Sequence, residues 1–324
     1  MAQPVTTTLS VWSEDGVRLG QVMRALEDLR RPEVMPATRT SVLTLVIVAS
    51  RRVSAVRAQS AVRELGGRHP ARVLTLVLDE PAREGAPGID AEIRLLGSEA
   101  EGHGLWFEDI ELDVHGRVVR HLDSLIEPLT LSDLPVVVWF VDELPALDDP
   151  LLLAADVLLV DARELDDAGA LAELVSLCGR RPVVDLSWTR LRPWRELLAG
   201  LFEGPAFRPF VSQVRRSAVA GRIGPRQLLD GWLADRLELP TSARHVVDAD
   251  HVSMHLWCDG ASFSVVREGD VRRVVARAEI EGGASAAAVV QLPEATPAWG
   301  LADALARLEL DPVYERALRR AVAP

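Results

Sequence analysis

Between Val17 and Leu29, apolar side chains recur at Val17, Leu19, Val22, Met23, Leu26 and Leu29, the spacing of one helical face, before Pro32 and Pro36 interrupt it. From Ser41 the pattern changes. Val42 to Val48 is a nearly continuous β-branched run, Ser54 to Leu65 returns to the helical period, and Val73 to Leu78 is apolar again, which predicts a βαβ unit. Strands with no alternating polar position are expected where both faces of a parallel sheet are covered. Ala91 to Leu96 and Phe107 to Leu112 are shorter alternating runs with Gly102 and Gly104 between them, and predict an edge hairpin. A helical stretch, Arg117 to Leu129, leads to strand runs at Pro135 to Val141 and Asp156 to Val160, a helix near Ala168 to Cys178 and a strand at Pro182 to Leu186. Gly179 is a helix stop and Pro193 a helix start, with Trp194, Leu197, Leu198 and Leu201 on one stripe. Ser187 to Arg192 is then expected as a strand-to-helix loop.

Phe202 to Phe210 contains Gly204, Pro205 and Pro209, the composition of a linker, and the pattern beyond it differs. A helix over Arg226 to Leu237 is followed by strand runs at His245 to Val247, Val252 to Cys258, Ser262 to Arg267 and Val271 to Ala278. Short turns such as Asp259-Gly260 and Gly269-Asp270 join them, as in an antiparallel meander. Ala286 to Leu292 is a further strand run, and helices are expected around Ala298 to Leu308 and Pro312 to Ala321. The pattern therefore predicts an α/β protein in three parts: a helical extension over 1–36, a Rossmann-like, mostly parallel sheet domain over 37–210, and a smaller α+β domain over 211–324.

A chain of 324 residues can bury two cores, in keeping with that division. No stretch approaches the run of about 20 apolar residues that a membrane helix requires, so no membrane span is expected. Glu14 and Asp15 stand where a secretory signal would be apolar, and Cys178 and Cys258 are the only cysteines, so the expected compartment is the reducing cytoplasm. A formal charge of -12 opposes binding to nucleic-acid phosphates. The chain has no lysine and no asparagine, and all 36 basic residues are arginines. That removes Schiff-base lysines, the phosphate-gripping lysine of a P-loop and the strand lysine of a protein kinase.

No G-x-G-x-x-G follows a predicted strand, and neither G-x-S-x-G nor H-E-x-x-H occurs, so no catalytic residue and no cofactor are assigned. His251, His255, Cys258 and Asp259 form the densest metal-like group. On a strand, however, His251 and His255 stand about 13 Å apart and Cys258 faces the other side, so no metal is expected. Cys178 and Cys258 lack C-x-x-C spacing and read as small core side chains rather than a redox pair. Asp142, Glu143, Asp148 and Asp149 read as a solvated loop. Asp185-Leu-Ser-Trp-Thr-Arg-Leu-Arg-Pro-Trp-Arg195 differs in kind, because it gathers two tryptophans and three arginines at the carboxyl end of a strand, where open α/β sheets bind ligands and partners. Two readings of it stand side by side. In one, Trp194 is core and the arginines cap acidic neighbours; in the other, Trp188 and the arginines form an interface.

That segment closely resembles the D-L-x-W-T-R-L-x-P-W-R signature of the OpcA family, the glucose-6-phosphate dehydrogenase assembly proteins. The resemblance extends from about residue 37 to 320. Ala37-Thr-Arg-Thr40, Leu131-Ser-Asp-Leu-Pro-Val-Val-Val-Trp139, Leu228-Leu-Asp-Gly-Trp-Leu-Ala-Asp-Arg236 and Leu310-Asp-Pro-Val-Tyr314 are similar to further family motifs. Phe140-Val-Asp-Glu departs from the family's second tryptophan and proline-glycine turn, and neither cysteine matches the positions to which redox control is attributed. The resemblance implies a non-catalytic accessory protein that binds glucose-6-phosphate dehydrogenase and promotes its assembly or allosteric activation. Trp188, Thr189, Arg190, Arg192 and Arg195 are then the expected partner contacts. The alternative from another class is a phosphate- or sugar-phosphate-binding protein or an unfamiliar α/β enzyme, with Arg190, Arg192 and Arg195 gripping the phosphate; a sugar-phosphate effector of the complex is left open.

Overall fold

The computed structural model describes residues 6–31, 38–39, 41–65, 69–78, 88–100, 103–165, 169–269, 272–293 and 296–323. The chain divides into two compact units. The first is Met1–Val160 with Arg180–Val184 and Leu301–Leu308; the second is Asp161–Gly179, Asp185–Gly300 and Glu309–Pro324.

The first unit contains β1 (Thr6–Glu14), α1 (Leu19–Leu29), β2 (Thr38–Arg39), β3 (Leu43–Ala49), α2 (Arg52–Leu65), β4 (Ala71–Val77), β5 (Gly88–Ala100) and β6 (His103–His115). It continues through α3 (Leu122–Ile126), β7 (Val136–Phe140), α4 (Leu151–Ala154) and β8 (Val157–Val160). With β9 (Val183–Asp185) these strands form one sheet in the order β1-β5-β6-β4-β3-β7-β8-β9, and β2 pairs β6. The sheet is parallel from β6 through β4, β3 and β7 to β8, and antiparallel at β5 and β1. Every residue of β3 and β4 is buried, which is why these runs lack polar alternation. The acidic side chains of β6 are answered by arginines. Arg72 Nε donates to Glu108 at 2.5 Å, Arg63 to Asp109 at 3.0 Å, and Arg52 reaches both Glu111 and Asp113.

Two expectations change here. Within the described part of 1–36 the expected helix is present as α1, but the segment is not a purely helical extension, because Thr6–Glu14 is a strand paired antiparallel with β5. The β5–β6 hairpin is consequently not at the edge: β1 covers β5, and β6 joins the parallel strands. Its turn at 101–102 lies outside the described residues.

The second unit holds α5 (Gly169–Cys178), α6 (Leu186–Arg190), α7 (Arg192–Leu201), β10 (Val214–Gly221), α8 (Ile223–Leu237), β11 (Arg244–Asp248) and β12 (Ser253–Cys258). These are followed by β13 (Ala261–Arg267), β14 (Arg273–Ile280), β15 (Ser285–Gln291), α9 (Pro297–Leu305), divided between the units after Gly300, and α10 (Pro312–Val322). Its sheet runs β11-β10-β12-β13-β14-β15. Of the meander expected over β11 to β14, the part from β12 to β14 is present and β15 extends it, whereas β11 lies outside it and pairs in parallel with β10, with α8 between them in sequence, a second βαβ connection. Burial alternates along the strands. Leu256, Met254, Phe263, Val265, Ala276 and Ala278 face inward, whereas Arg216, His255, Trp257, Ser262 and Arg277 share the opposite, accessible face.

Phe202 to Phe210 is not a linker. Phe202, Phe207 and Phe210 surround Phe263 at ring separations of 4.2, 6.1 and 6.3 Å, and Phe207 is buried. Such pairs add about 0.5–1.5 kcal/mol each beyond burial, so the glycine and prolines shape a packed turn inside the second unit. The break between units falls instead around Val160 and Asp185.

Candidate functional site

β9 ends at Asp185, whose carboxylate organises the turn into the next helix. Its Oδ1 accepts from the backbone N–H of Ser187 at 2.7 Å and of Ala162 at 3.1 Å, and its Oδ2 accepts from the Tyr314 hydroxyl at 3.2 Å. One buried acid thus caps α6 and ties it to the Asp161 turn and to α10. Burial pushes this carboxyl up to about 6, and the neighbouring Asp161 charge adds to the shift, while the two backbone donors oppose it. Asp161 in turn accepts from Ser187 Oγ at 2.6 Å and from Arg190 at 2.5 Å on both oxygens.

The segment expected as a loop is therefore the helix α6, started by the Asp185 cap and followed at once by α7 with Pro193 in its first turn. Trp194 is core, as its stripe requires. Trp188 is core as well, with 5% of its surface exposed. Its Nε1 donates to Asp311 Oδ2 at 2.7 Å, its ring lies 5.7 Å from that of Tyr314, and the Arg195 guanidinium stacks 3.4 Å from the ring centroid. Arg195 also donates to the Trp188 carbonyl at 2.9 Å, and burial pushes its pKa down to about 10. Thr189 Oγ1 donates back to the Asp185 carbonyl at 3.1 Å. Of the five residues expected to touch a partner, Trp188, Thr189, Arg190 and Arg195 are thus engaged within the second unit. Arg192 is half-buried on α7.

The partners of Trp188 come from a motif the sequence offered without its meaning. In Leu310-Asp-Pro-Val-Tyr314, Asp311 caps α10 by accepting from Val313 N–H at 2.8 Å and Tyr314 N–H at 3.2 Å, with Pro312 as the first helical residue. Gly231 has an equally local reason: a Cβ there would sit 2.1 Å from the Ala317 carbonyl oxygen, so α8 and α10 can pack this closely only with glycine at the crossing. Cys178 and Cys258 are free thiols, and burial pushes Cys178 up to about 12, far from a reactive thiolate. His255 stacks on Trp257 at 5.8 Å. Among the described residues, no three His, Cys, Asp or Glu side chains are grouped to hold a metal, and no helix is long and apolar enough to cross a membrane.

A mostly parallel sheet followed by a mixed six-stranded sheet, with the Asp185–Arg195 segment between them in sequence, defines an α/β protein of Rossmann-like class. Residues 62–176 match the family described as the glucose-6-phosphate dehydrogenase subunit N-terminal domain, and residues 181–318 match the corresponding C-terminal domain. Together these cover well over half of the chain, which belongs to the OpcA family. Two proteins that carry the provisional name OxPP cycle protein OpcA are similar to it. One, from Synechocystis sp., is 28% identical over 52% of this chain and 38% of its own length; the other, from Nostoc punctiforme, is 24% identical over 69% of this chain and 53% of its own. The chain thus spans about half or less of the length of these relatives. Among solved structures, the aldose-aldose oxidoreductase of Caulobacter crescentus aligns over 86% of this chain and 94% of its own, with a TM-score of 0.43 and 11% identity.

Proposed function

We propose that this chain is a non-catalytic accessory subunit that binds glucose-6-phosphate dehydrogenase in the cytoplasm and promotes its assembly or allosteric activation. The observation that carries the reading is the match of both parts of the chain to domains described as those of a glucose-6-phosphate dehydrogenase subunit. Activation then requires that the chain bind the active or assembled state more tightly than its alternative. The surface best suited to the dehydrogenase is the accessible face of the second sheet. There Trp257 stacks on His255, and Arg216 lies 5.3 Å over the Trp257 ring. Tryptophan and arginine are the residue types that most often dominate binding energy. The edge strand β15 extends this surface with exposed Val289.

Size-exclusion chromatography with the dehydrogenase of the same organism tests this reading. Co-elution is expected for the wild type. Trp257→Glu is expected to weaken the complex by about thirtyfold or more, the cost of a typical hot-spot residue, with little change in melting temperature. Separate elution of the wild-type proteins overturns the partnership, and full-affinity binding by Trp257→Glu moves the interface elsewhere. A second reading, phosphate binding, is favoured by a separate observation, an arginine-lined cavity, and is compatible with the first.

A further inference from the structure

A cavity of about 480 Å³ opens in the second unit beside α6 and the first turn of α8. Among the described residues five arginines line it, Arg163, Arg190, Arg222, Arg267 and Arg272, with one carboxylate, Asp250. In a chain of net charge -12 such a concentration of positive charge is local and specific. Arg190 is held by Asp161, and a side chain at Gly300 would crowd it, since a Cβ there would lie 3.2 Å from its terminal nitrogen. Arg267 is pushed down in pKa by burial and then by the nearby charge of Arg163, so these two cations share one neighbourhood. Arg222 precedes α8, a helix of 15 residues whose N-terminus has no side-chain cap, and Arg222 and Pro225 bring that positive end to the cavity wall. Arginines that repel one another become favourable neighbours once an anion lies between them, and guanidinium forks match phosphate oxygens well.

The rest of the described wall is mostly apolar, with Ser187 and His251 as its other polar side chains. Trp194 and Trp299 line it, and Arg267 stands 5.5 Å over the Trp194 ring. The volume falls within the range of metabolite sites, about 300–1,000 Å³, and exceeds what a bare phosphate fills. We propose that this cavity binds a small ring-bearing phosphomonoester, with Arg163, Arg222, Arg267 and Arg272 around the dianion and the half-buried Trp299 against the ring that carries it. The arginines come from four separate segments, unlike the contiguous trio Arg190, Arg192 and Arg195 expected from sequence, of which Arg195 is committed to Trp188. The proposal stands apart from the dehydrogenase partnership, because it concerns this chain alone.

Isothermal titration of the purified full chain tests it, with glucose 6-phosphate and adenosine monophosphate as probes and glucose and orthophosphate as controls. At least one ester is expected to bind with a Kd of about 1 mM or tighter, and more tightly than orthophosphate, with no binding of glucose. The sugar and nucleotide arms distinguish which ring is accepted. Arg163→Ala combined with Arg267→Ala is expected to weaken that binding by about tenfold or more, and so is the exposed Arg222→Glu should the double variant fold poorly. Arg215→Ala, outside the cavity, is expected to leave it unchanged. The assignment is overturned if neither ester binds, if orthophosphate binds as tightly as the esters, or if folded variants at Arg163, Arg267 and Arg222 bind like the wild type.

Discussion

Trp188→Ala is expected to destabilise the second unit by about 3–5 kcal/mol, lowering its melting temperature by about 10 °C. The magnitude is that of a buried tryptophan cut to alanine, and each contribution is identifiable. The indole is nearly inaccessible, lies against Tyr314, and donates from Nε1 to Asp311 at 2.7 Å. Arg195, stacked on its face, would lose that lid while still buried, and a partly desolvated cation without its neighbour adds to the cost. Trp188→Phe keeps most of the volume and loses the hydrogen bond, so a smaller loss, about 1–3 kcal/mol, is expected. Differential scanning calorimetry of the two variants beside Trp194→Ala separates the possibilities. A Trp188→Ala protein that melts with the wild type would return this side chain to a surface role.

Asp185→Asn is expected to change the pH dependence of stability more than its value at any one pH. The carboxyl sits at about 6 in the folded chain, above an unfolded value of about 3.9, so the native state holds its proton more strongly. The stability this affords is fully present below pH 4 and is lost as pH rises through about 6. Two pKa units correspond to about 3 kcal/mol. An asparagine oxygen can still accept from Ser187 and Ala162 N–H, but the side chain no longer ionises. Denaturant titrations should therefore show the variant gaining on the wild type by about 3 kcal/mol between pH 4 and pH 8. Titrating groups remote from Asp185 affect both proteins alike. Parallel stability curves across that range would mean that Asp185 ionises at an ordinary pKa.

The parts of the fold that were legible in the sequence are those set by short-range interactions. β3, α2 and β4 could be read because a fully buried strand leaves a continuous apolar run and a half-buried helix leaves a stripe. β1 and β10 escaped because burial there does not follow polarity: Leu9 and Val11 are exposed while Ser10 is half-buried, and Ser217 is fully buried beside exposed Arg215 and Arg216. The unit boundary was misplaced for a related reason. Glycine and proline in 202–210 mark a turn, but only the distant Phe263 makes that turn a core element. Trp188 reads as an interface candidate as long as Ser187 to Arg192 is taken for a loop, because the helix that buries it starts at the Asp185 cap and its hydrogen-bond partner, Asp311, is 123 residues away. The arginines of the cavity are likewise scattered from residue 163 to residue 272, so no linear motif joins them. Asp311 before Pro312 was the exception, a helix start visible in the sequence that also anchors the tryptophan.

The steady-state rate of glucose 6-phosphate oxidation by the dehydrogenase of the same organism, titrated with this chain, tests the proposed role most directly. The account predicts a saturable rise in rate that levels off as the complex fills, while the chain alone turns over no sugar phosphate. A rate that stays flat at saturating chain, or turnover by the chain without the dehydrogenase, would contradict it.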